Sequence, residues 1–286
     1  MQQFNWTSLY SWVTPTRGII VGVVLIALTL VLIPLIAARI LHVDERELPI
    51  TGLPDELDGT KVAFVADVHA GPFFTRGRVR NLAEKVNEYE PDVIILGGDY
   101  VGGRAHGAEV FYPEIQEFEA AHAKVAVLGN HDVWEGEQEA RDGLAAANFE
   151  LLENSNVRIE IDGATLALAG VNDLYTGSPD TALAAQGIAE GDTAILVSHN
   201  PDVFAEGLPE TGEIWNLALA GHTHGGQVSM FGKAAIVPSQ FGARYRSGWM
   251  EEEGVPILVS NGVGTVTLPL RVQTPAEIHI ITLRKA

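Results

Sequence analysis

The chain contains no cysteine, which excludes disulfides, thiolate metal sites and cysteine nucleophiles and leaves the redox compartment open. Basic residues are scarce: 18 lysines and arginines stand against 37 acids, a formal charge of −19 over 286 residues. A surface that acidic repels a nucleic-acid backbone at long range, so DNA and RNA are set aside as partners. It does not exclude an anionic substrate, because bound metal ions invert the local field. There is no internal repeat, no twin-arginine signal, and no low-complexity tract apart from one apolar run. With 47% hydrophobic residues the chain has ample core material, which excludes wholesale disorder. Its length admits one large domain or two small ones.

The apolar run extends from Gly18 to Ala38 without a charge, bounded by Arg17 and Arg39. As a helix with about 1.5 Å rise per residue it spans roughly 30 Å, the thickness of a bilayer's hydrocarbon core. Pro34 is a kink site of the kind that transmembrane helices tolerate. Trp6, Tyr10 and Trp12 precede the run, as an interfacial aromatic belt would. A cleaved signal peptide has a shorter apolar run and a more basic start, whereas no charged side chain precedes Arg17. We therefore expect a single-pass anchor in the cell membrane, residues 18–38, behind a tail of residues 1–17. Arg17 and the terminal amine on one side balance Arg39 and Arg46 on the other, so charge assigns no orientation.

Residues 39–60, with Pro49, Gly52, Pro54 and Gly59, read as a connector, and the regular pattern begins at residue 61. KVAFVAD (61–67) reads as a buried strand, residues 76–90 as a helix stopping before Pro91, and DVIILGGD (92–99) as the next strand. A second helix is expected near 108–123, leading into KVAVLGN (124–130). This is a βαβαβ order, which implies a parallel sheet with right-handed crossovers. Further strands are expected at 164–171, 194–198, 215–220, 256–260 and 277–283, and the short turns between several of them suggest antiparallel additions.

The chemistry lies at the strand ends. Asp67 and His69, then Asp99, then Asn130 and His131, later His199, and finally His222 and His224 each follow an apolar run. In parallel α/β sheets functional groups gather at the carboxyl ends of the strands, so these side chains should converge. Asp67 and His69, like His222 and His224, are i, i+2 pairs that point the same way on extended backbone. Glycines adjoin them at 97–98, 129, 221 and 225–226, removing bulk where backbone crowds an ion or phosphate. Of nine histidines, His69, His131, His199, His222 and His224 belong to these clusters. His42, His106, His122 and His279 read as ordinary surface or strand residues. Mixed carboxylate, imidazole and amide donors suit Mn, Fe or Zn, with Mn favoured, and argue against an all-oxygen calcium cage. Two divalent metal ions are the expected cofactors.

The ordered set Asp67-Val-His69, Gly97-Gly-Asp99, Gly129-Asn-His-Asp132, His199 within SHNPD, and GHTHGGQ from Gly221 to Gln227 resembles the calcineurin-like metallophosphoesterases over residues 61–286. SHNPD, GHTHGGQ and the tail VSNGVGT…PLR…PAEI bring it close to their bacterial membrane-associated branch, the YkuE/YaeI type. The tail departs at Val266, where that branch often has serine or a similar residue. The resemblance implies a four-layer α/β/β/α sandwich in a catalytic domain of residues 61–286. It also implies one metal on Asp67, His69, Asp99 and His224 and another on Asp99, Asn130, His199 and His222, with Asp99 bridging. A hydroxide shared by two ions about 3.5–4 Å apart would then attack phosphorus in line. His131 resembles the family's non-ligand histidine, which stabilises the transition state or protonates the leaving oxygen. Asp132 either orients His131 or caps the following helix.

For function the expectation is a phosphodiesterase or pyrophosphatase acting on a lipid-linked or nucleotide-lipid substrate. UDP-2,3-diacylglucosamine, hydrolysed by some relatives of the branch, is the named candidate. A phosphomonoesterase or protein phosphatase is the second reading. A non-catalytic metal-binding scaffold is the third, and it is disfavoured because the implied ligands and His131 are all present. Phe73 and Phe74 are candidate contacts for an acyl chain. Arg244 and Arg246 are candidate phosphate contacts, against the plainer reading as salt bridges.

Overall fold

The computed structural model describes residues 15–102 and 106–286. The aromatic residues at 6, 10 and 12 lie outside them. The first element, α1 (Pro15–Ala37), is apolar on every face and has mean hydropathy 3.2, with its apolar window wholly exposed. It is long and apolar enough to cross a membrane. Its last turn is tied to the rest of the chain: the Pro34 carbonyl accepts the backbone N–H of Arg271 at 3.1 Å, and Arg78 Nη2 donates to the Ala38 carbonyl at 3.0 Å.

Beyond α1 lies β1 (Leu41–Ile50), a ten-residue strand within the expected connector 39–60. Asp44, Glu45, Arg46 and Glu47 face outward on this sheet edge, where charge discourages edge-to-edge pairing, while Leu48 and Ile50 turn into the core. There follow β2 (Lys61–Val65), α2 (Arg76–Asn87), β3 (Val93–Leu96), α3 (His106–Phe111), β4 (Ala123–Ala126), α4 (Asn130–Ala146) and β5 (Glu150–Leu151). The helix expected over 108–123 is short. It ends at Phe111 ahead of Pro113, which cannot donate a backbone N–H, and a 3-10 turn at Ile115–Glu117 completes the segment. Next come β6 (Ser155–Ile161), β7 (Ala164–Gly170), α5 (Thr181–Ala184), β8 (Thr193–Ser198), α6 (Phe204–Thr211) and β9 (Leu217–Ala220). The small hairpin β10 (Ser229–Met230) and β11 (Lys233–Ala234) precedes β12 (Gly248–Glu252), β13 (Val255–Val259) and β14 (Ala276–Lys285).

These strands form two mixed six-stranded sheets, in the orders β1-β14-β2-β3-β4-β5 and β12-β13-β9-β8-β7-β6. The central strands β2 to β5 run parallel, as do β7, β8, β9 and β13, while β14, β12 and β6 include the antiparallel pairings. Alternation sorts the side chains. Phe64, Ile95, Val125, Leu168, Ile195 and Leu219 fill the space between the sheets. Ala63, Ile94 and Leu96 face α2 and α4 on one outer side, and Ala169, Leu196 and Ala218 face α5 and α6 on the other. The result is the four-layer α/β/β/α sandwich.

His279 of β14 is buried between the sheet edges. Its Nδ1 is 3.1 Å from Asp44 Oδ2 of β1, and its Nε2 is 3.0 Å from Ser260 Oγ and 3.4 Å from Glu277 Oε1. Burial alone would lower its pKa, but the Asp44 and Glu277 carboxylates outweigh that and raise it above the ordinary histidine value. A raised folded-state pKa gives stability that is fully present below the unfolded value of about 6.5 and is lost as pH rises through the folded value. The melting temperature of His279→Gln should therefore fall furthest below wild type under about pH 6.5 and approach it at alkaline pH. A gap that widens with pH would contradict this assignment.

Candidate metal centre

Both sheets deliver their polar residues to one edge. Asp67 and His69 follow β2, Asp99 follows β3, and Asn130 follows β4 at the first position of α4. His199 follows β8, and His222 and His224 follow β9. Each sits where a strand's backbone ladder stops and the chain must turn. Asp67, His69, Asp99, His222 and His224 all do so in the left-handed region, with φ between 46° and 68°. Aspartate and histidine tolerate that region better than most residues, yet strain on the order of 1–3 kcal/mol per residue is expected, and such strain concentrates at functional sites. Gly98, at φ 89°, permits a close approach: a Cβ there would lie 2.7 Å from His199 Nδ1.

The side chains meet in three groups, and His69, Asp99 and His131 make the one that links the other two. Asp67, His69 and His224 form one, with His69 Nε2 and His224 Nε2 3.0 Å apart and His224 Nε2 3.4 Å from Asp67 Oδ1. Asp99, His199 and His222 form the other, with His199 Nε2 3.3 Å from Asp99 Oδ2 and 3.2 Å from His222 Nδ1. Asp99 Oδ2 also lies 3.6 Å from His69 Nε2, so this carboxylate stands between the groups.

Its position is locked from behind. Asp132, fully buried, accepts the backbone N–H groups of Asp99, Tyr100 and Gly129 at 2.8, 2.8 and 2.9 Å. It thereby caps α4 and fixes the Asp99 loop with one carboxylate. Of the two roles read for Asp132, the bonds support the cap. The His131 ring is instead held by Glu135, Nδ1 to Oε1 at 3.2 Å, and the His131 N–H donates to Asp99 Oδ1 at 2.8 Å. Glu135 escaped the sequence reading, although its i+4 spacing on a helix beginning at Asn130 was a usable signal.

The electrostatics call for a cation. Burial pushes the Asp67 carboxyl up to about 7 and drives the His69 and His222 imidazoles down to about 4 and about 3, with His224 lowered too. His199 Nδ1 lies 2.8 Å from the Gly97 carbonyl, the geometry of an N–H donor, so neutral His199 aims the Nε2 lone pair at Asp99 and His222. In the metal-free protein burial would lower His199, but Asp99 and Asp67 override it and lift its pKa to about 10. Asn130 Oδ1 and His222 Nε2 are buried without a hydrogen-bond partner. Converging lone pairs on oxygen and imidazole nitrogen, with no thiolate among them, fit a divalent transition metal, and the clusters are consistent with a dinuclear site.

Two further side chains hold this arrangement. The Gln227 side chain donates to the Val266 and Leu268 carbonyls at 3.0 and 3.1 Å and accepts the Val266 N–H at 2.7 Å, joining the GHTHGGQ turn to the loop before β14. Arg271, buried and still charged with its pKa near 10, donates to the carbonyls of Asn261, Gly262 and Gly264, whose loop packs on Asp67.

A cleft of about 560 Å³ opens over Asp99, Asn130, His131, His222 and His224. Its outer walls are Trp134, Tyr175, Val228, Ile236, Leu268 and Val266, the position at which the tail departs from the pattern it resembles. The expected substrate contacts lie elsewhere. Phe74 is 4% exposed, belongs to the core beside α2 and carries the Arg78 guanidinium over its ring at 4.1 Å. Phe73 is exposed in a groove beside Ala38, outside the cleft. Arg244 pairs with Glu252 at 2.6 Å, and Arg246 donates to the Gly232 carbonyl at 2.7 Å, so neither cation reaches the centre.

The sequence profile of the calcineurin-like phosphoesterases matches residues 60–226. The chain is 29% identical over 238 residues to the uncharacterized metallophosphoesterase YkuE of Bacillus subtilis (strain 168), covering 81% of this chain and 82% of that protein. It is 31% identical over 222 residues to the uncharacterized protein YpbG of the same strain, covering 78% and 80%. A transmembrane protein with metallophosphoesterase domain from Danio rerio is 27% identical over 261 residues, covering 87% of this chain but 59% of its own length. This chain thus spans little more than half of that animal relative.

Since Asp99 holds a proton on His199 in the metal-free protein, an entering cation must displace it. Calorimetric titration with Mn²⁺ in buffers of different ionisation enthalpy should show net proton release near pH 7, and affinity should rise with pH. Binding without proton release would contradict the protonation assigned to His199.

Proposed function

The chain belongs to the calcineurin-like phosphoesterase family, and from that premise we propose that it hydrolyses phosphodiester or phosphoanhydride bonds in a substrate bearing a lipid-like group. The observation that carries this reading is the pairing of the Asp/His centre with a cleft walled by apolar side chains. Among the described residues the cleft is lined by no lysine or arginine. A phosphomonoester, a dianion near neutral pH, asks for more positive charge than such walls offer; a diester carries one negative charge and two substituents, one of which the apolar wall suits.

In this proposal Asp67, His69, Asp99 and His224 hold one divalent ion, and Asp99, Asn130, His199 and His222 hold the other. When bound, the pair supplies Lewis acidity toward the phosphoryl group and acidifies a water molecule. Asp99 orients both halves of the site, kept in place by Asp132. His131 stands at the mouth, where its Nε2 is placed to give a proton to the departing oxygen, while the Glu135 carboxylate accepts from Nδ1 and orients the ring. Trp134, packed against His131, and Tyr175, packed against His222, wall one side of the cleft. The Asp/His centre then works at a membrane, with α1 as its anchor. The bonds from Arg271 and Arg78 to the end of α1 support that role, since a removed leader would take Pro34 with it.

Turnover of bis-p-nitrophenyl phosphate, p-nitrophenyl phosphate and UDP-2,3-diacylglucosamine with Mn²⁺ tests the proposal. The diester and the nucleotide-lipid should be cleaved and the monoester only weakly. His131→Ala should lose roughly 10²- to 10⁴-fold in kcat with metal content unchanged. Glu135→Gln should lose less, with metal content likewise unchanged. Preferred cleavage of the monoester would overturn the diester reading.

A further inference from the structure

Between Glu213 and Glu251, and again between Glu253 and Glu277, the sequence holds no acidic residue, although acids are twice as numerous as bases in the whole chain. Lysine and arginine occur in those stretches as Lys233, Arg244, Arg246 and Arg271. The same stretches build the outer wall of the cleft and carry exposed apolar side chains around it. Phe231, at the tip of the β10–β11 hairpin, is 91% exposed, Ile236 76%, Met230 60% and Leu268 56%. Single exposed apolar residues are ordinary on any surface, but several around one opening, on segments that carry no acidic residue, mark an interaction surface.

The course of the chain indicates what covers that face. The loop 265–270 presents Leu268 to the cleft on one side, while on the other Thr265 and Pro269 share a groove with Ala38, Arg39 and Phe73 at the end of α1. The Arg271 N–H on the Pro34 carbonyl joins the two. Sheet register agrees: Leu41 of β1 pairs with Ala276, and His279 pairs with Phe64 near the end of β2, so α1 enters at the sheet edge that carries the metal centre. The apolar rim begins where the apolar helix stops.

We propose that the hairpin tip, Ile236 and the loop 266–270 seat in the interfacial layer of the bilayer that α1 crosses, so that the cleft opens toward lipid rather than bulk water. This rests on the reading of α1 as a membrane span. Apolar tips reach the boundary of the acyl chains, and Lys233 and Arg39 lie at headgroup level, where anionic lipids attract them. Leaving acids out of these segments lessens the repulsion that a chain of charge −19 would meet at an anionic leaflet.

The absence of cysteine makes the test direct. Single-cysteine chains Phe231→Cys, Leu268→Cys, Leu28→Cys within α1, and Asp162→Cys in the turn between β6 and β7, at the far end of its sheet, are labelled with an environment-sensitive fluorophore. The full chain is placed in vesicles of phosphatidylcholine and phosphatidylglycerol, and quenching by spin-labelled lipid is read. Labels at 231, 268 and 28 should be quenched and shifted to the blue, and the label at 162 should not. Quenching at 28 alone would overturn the docking while leaving the anchor intact. No quenching at any position would remove the anchor reading and the docking together. Shielding of 231 and 268 from aqueous iodide without quenching by lipid would mean that a protein surface, such as a second copy, covers the face, and would also overturn the proposal.

Discussion

The structure turns on one buried carboxylate. Asp99 lies between two histidine groups, 3.3 Å from His199 and 3.6 Å from His69, and takes the N–H of His131 on its other oxygen. A carboxylate so enclosed must be balanced, and the neighbours able to balance it are imidazoles whose burial favours the neutral form. A proton on His199 is one solution and a divalent cation is the other. Much around Asp99 serves to make that choice available: Asp132 fixes its backbone, Gly98 lets His199 approach, and Gly97 sets the His199 tautomer. Five left-handed residues at the strand ends are sustained because two sheets, packed through a continuous core, over-determine their positions.

The fold brings that centre against a wall of different character. Gln227 belongs to the same turn as His222 and His224 yet spends its side chain on the loop 266–268, so the polar turn and the apolar loop are one assembly. Arg271 repeats this on a larger scale, its guanidinium gathering the loop beneath Asp67 and its backbone N–H reaching α1. The centre, the cleft and the apolar helix are thus joined by short chains of hydrogen bonds.

Much of this was legible in the sequence, because strand ends in a parallel sheet converge and the polar residues that follow apolar runs are few. Asp67, His69, Asp99, Asn130, His199, His222 and His224 could be read as one site for that reason. What escaped has physical causes. The strand β1 carries four consecutive charges because it is a sheet edge, and that conceals its pattern. Phe74 follows Asp67 and His69 closely in sequence, but the loop folds its ring under Arg78 into the core. Arg244 and Arg246 lie near the site in sequence and spend their charges on Glu252 and a carbonyl. The cleft walls come from Val228, Ile236 and Leu268, residues without chemistry of their own, and only the folded chain reveals them as a surface. Glu135 alone was within reach of simple helical spacing.

Metal analysis of the wild-type chain beside Asp99→Asn, with turnover of bis-p-nitrophenyl phosphate measured on the same samples, tests the central claim most directly. Wild type should hold two divalent ions per chain and turn over only when they are present, whereas Asp99→Asn should hold at most one and be inactive while remaining folded. A variant that retains both ions and its activity would show that the centre does not depend on Asp99.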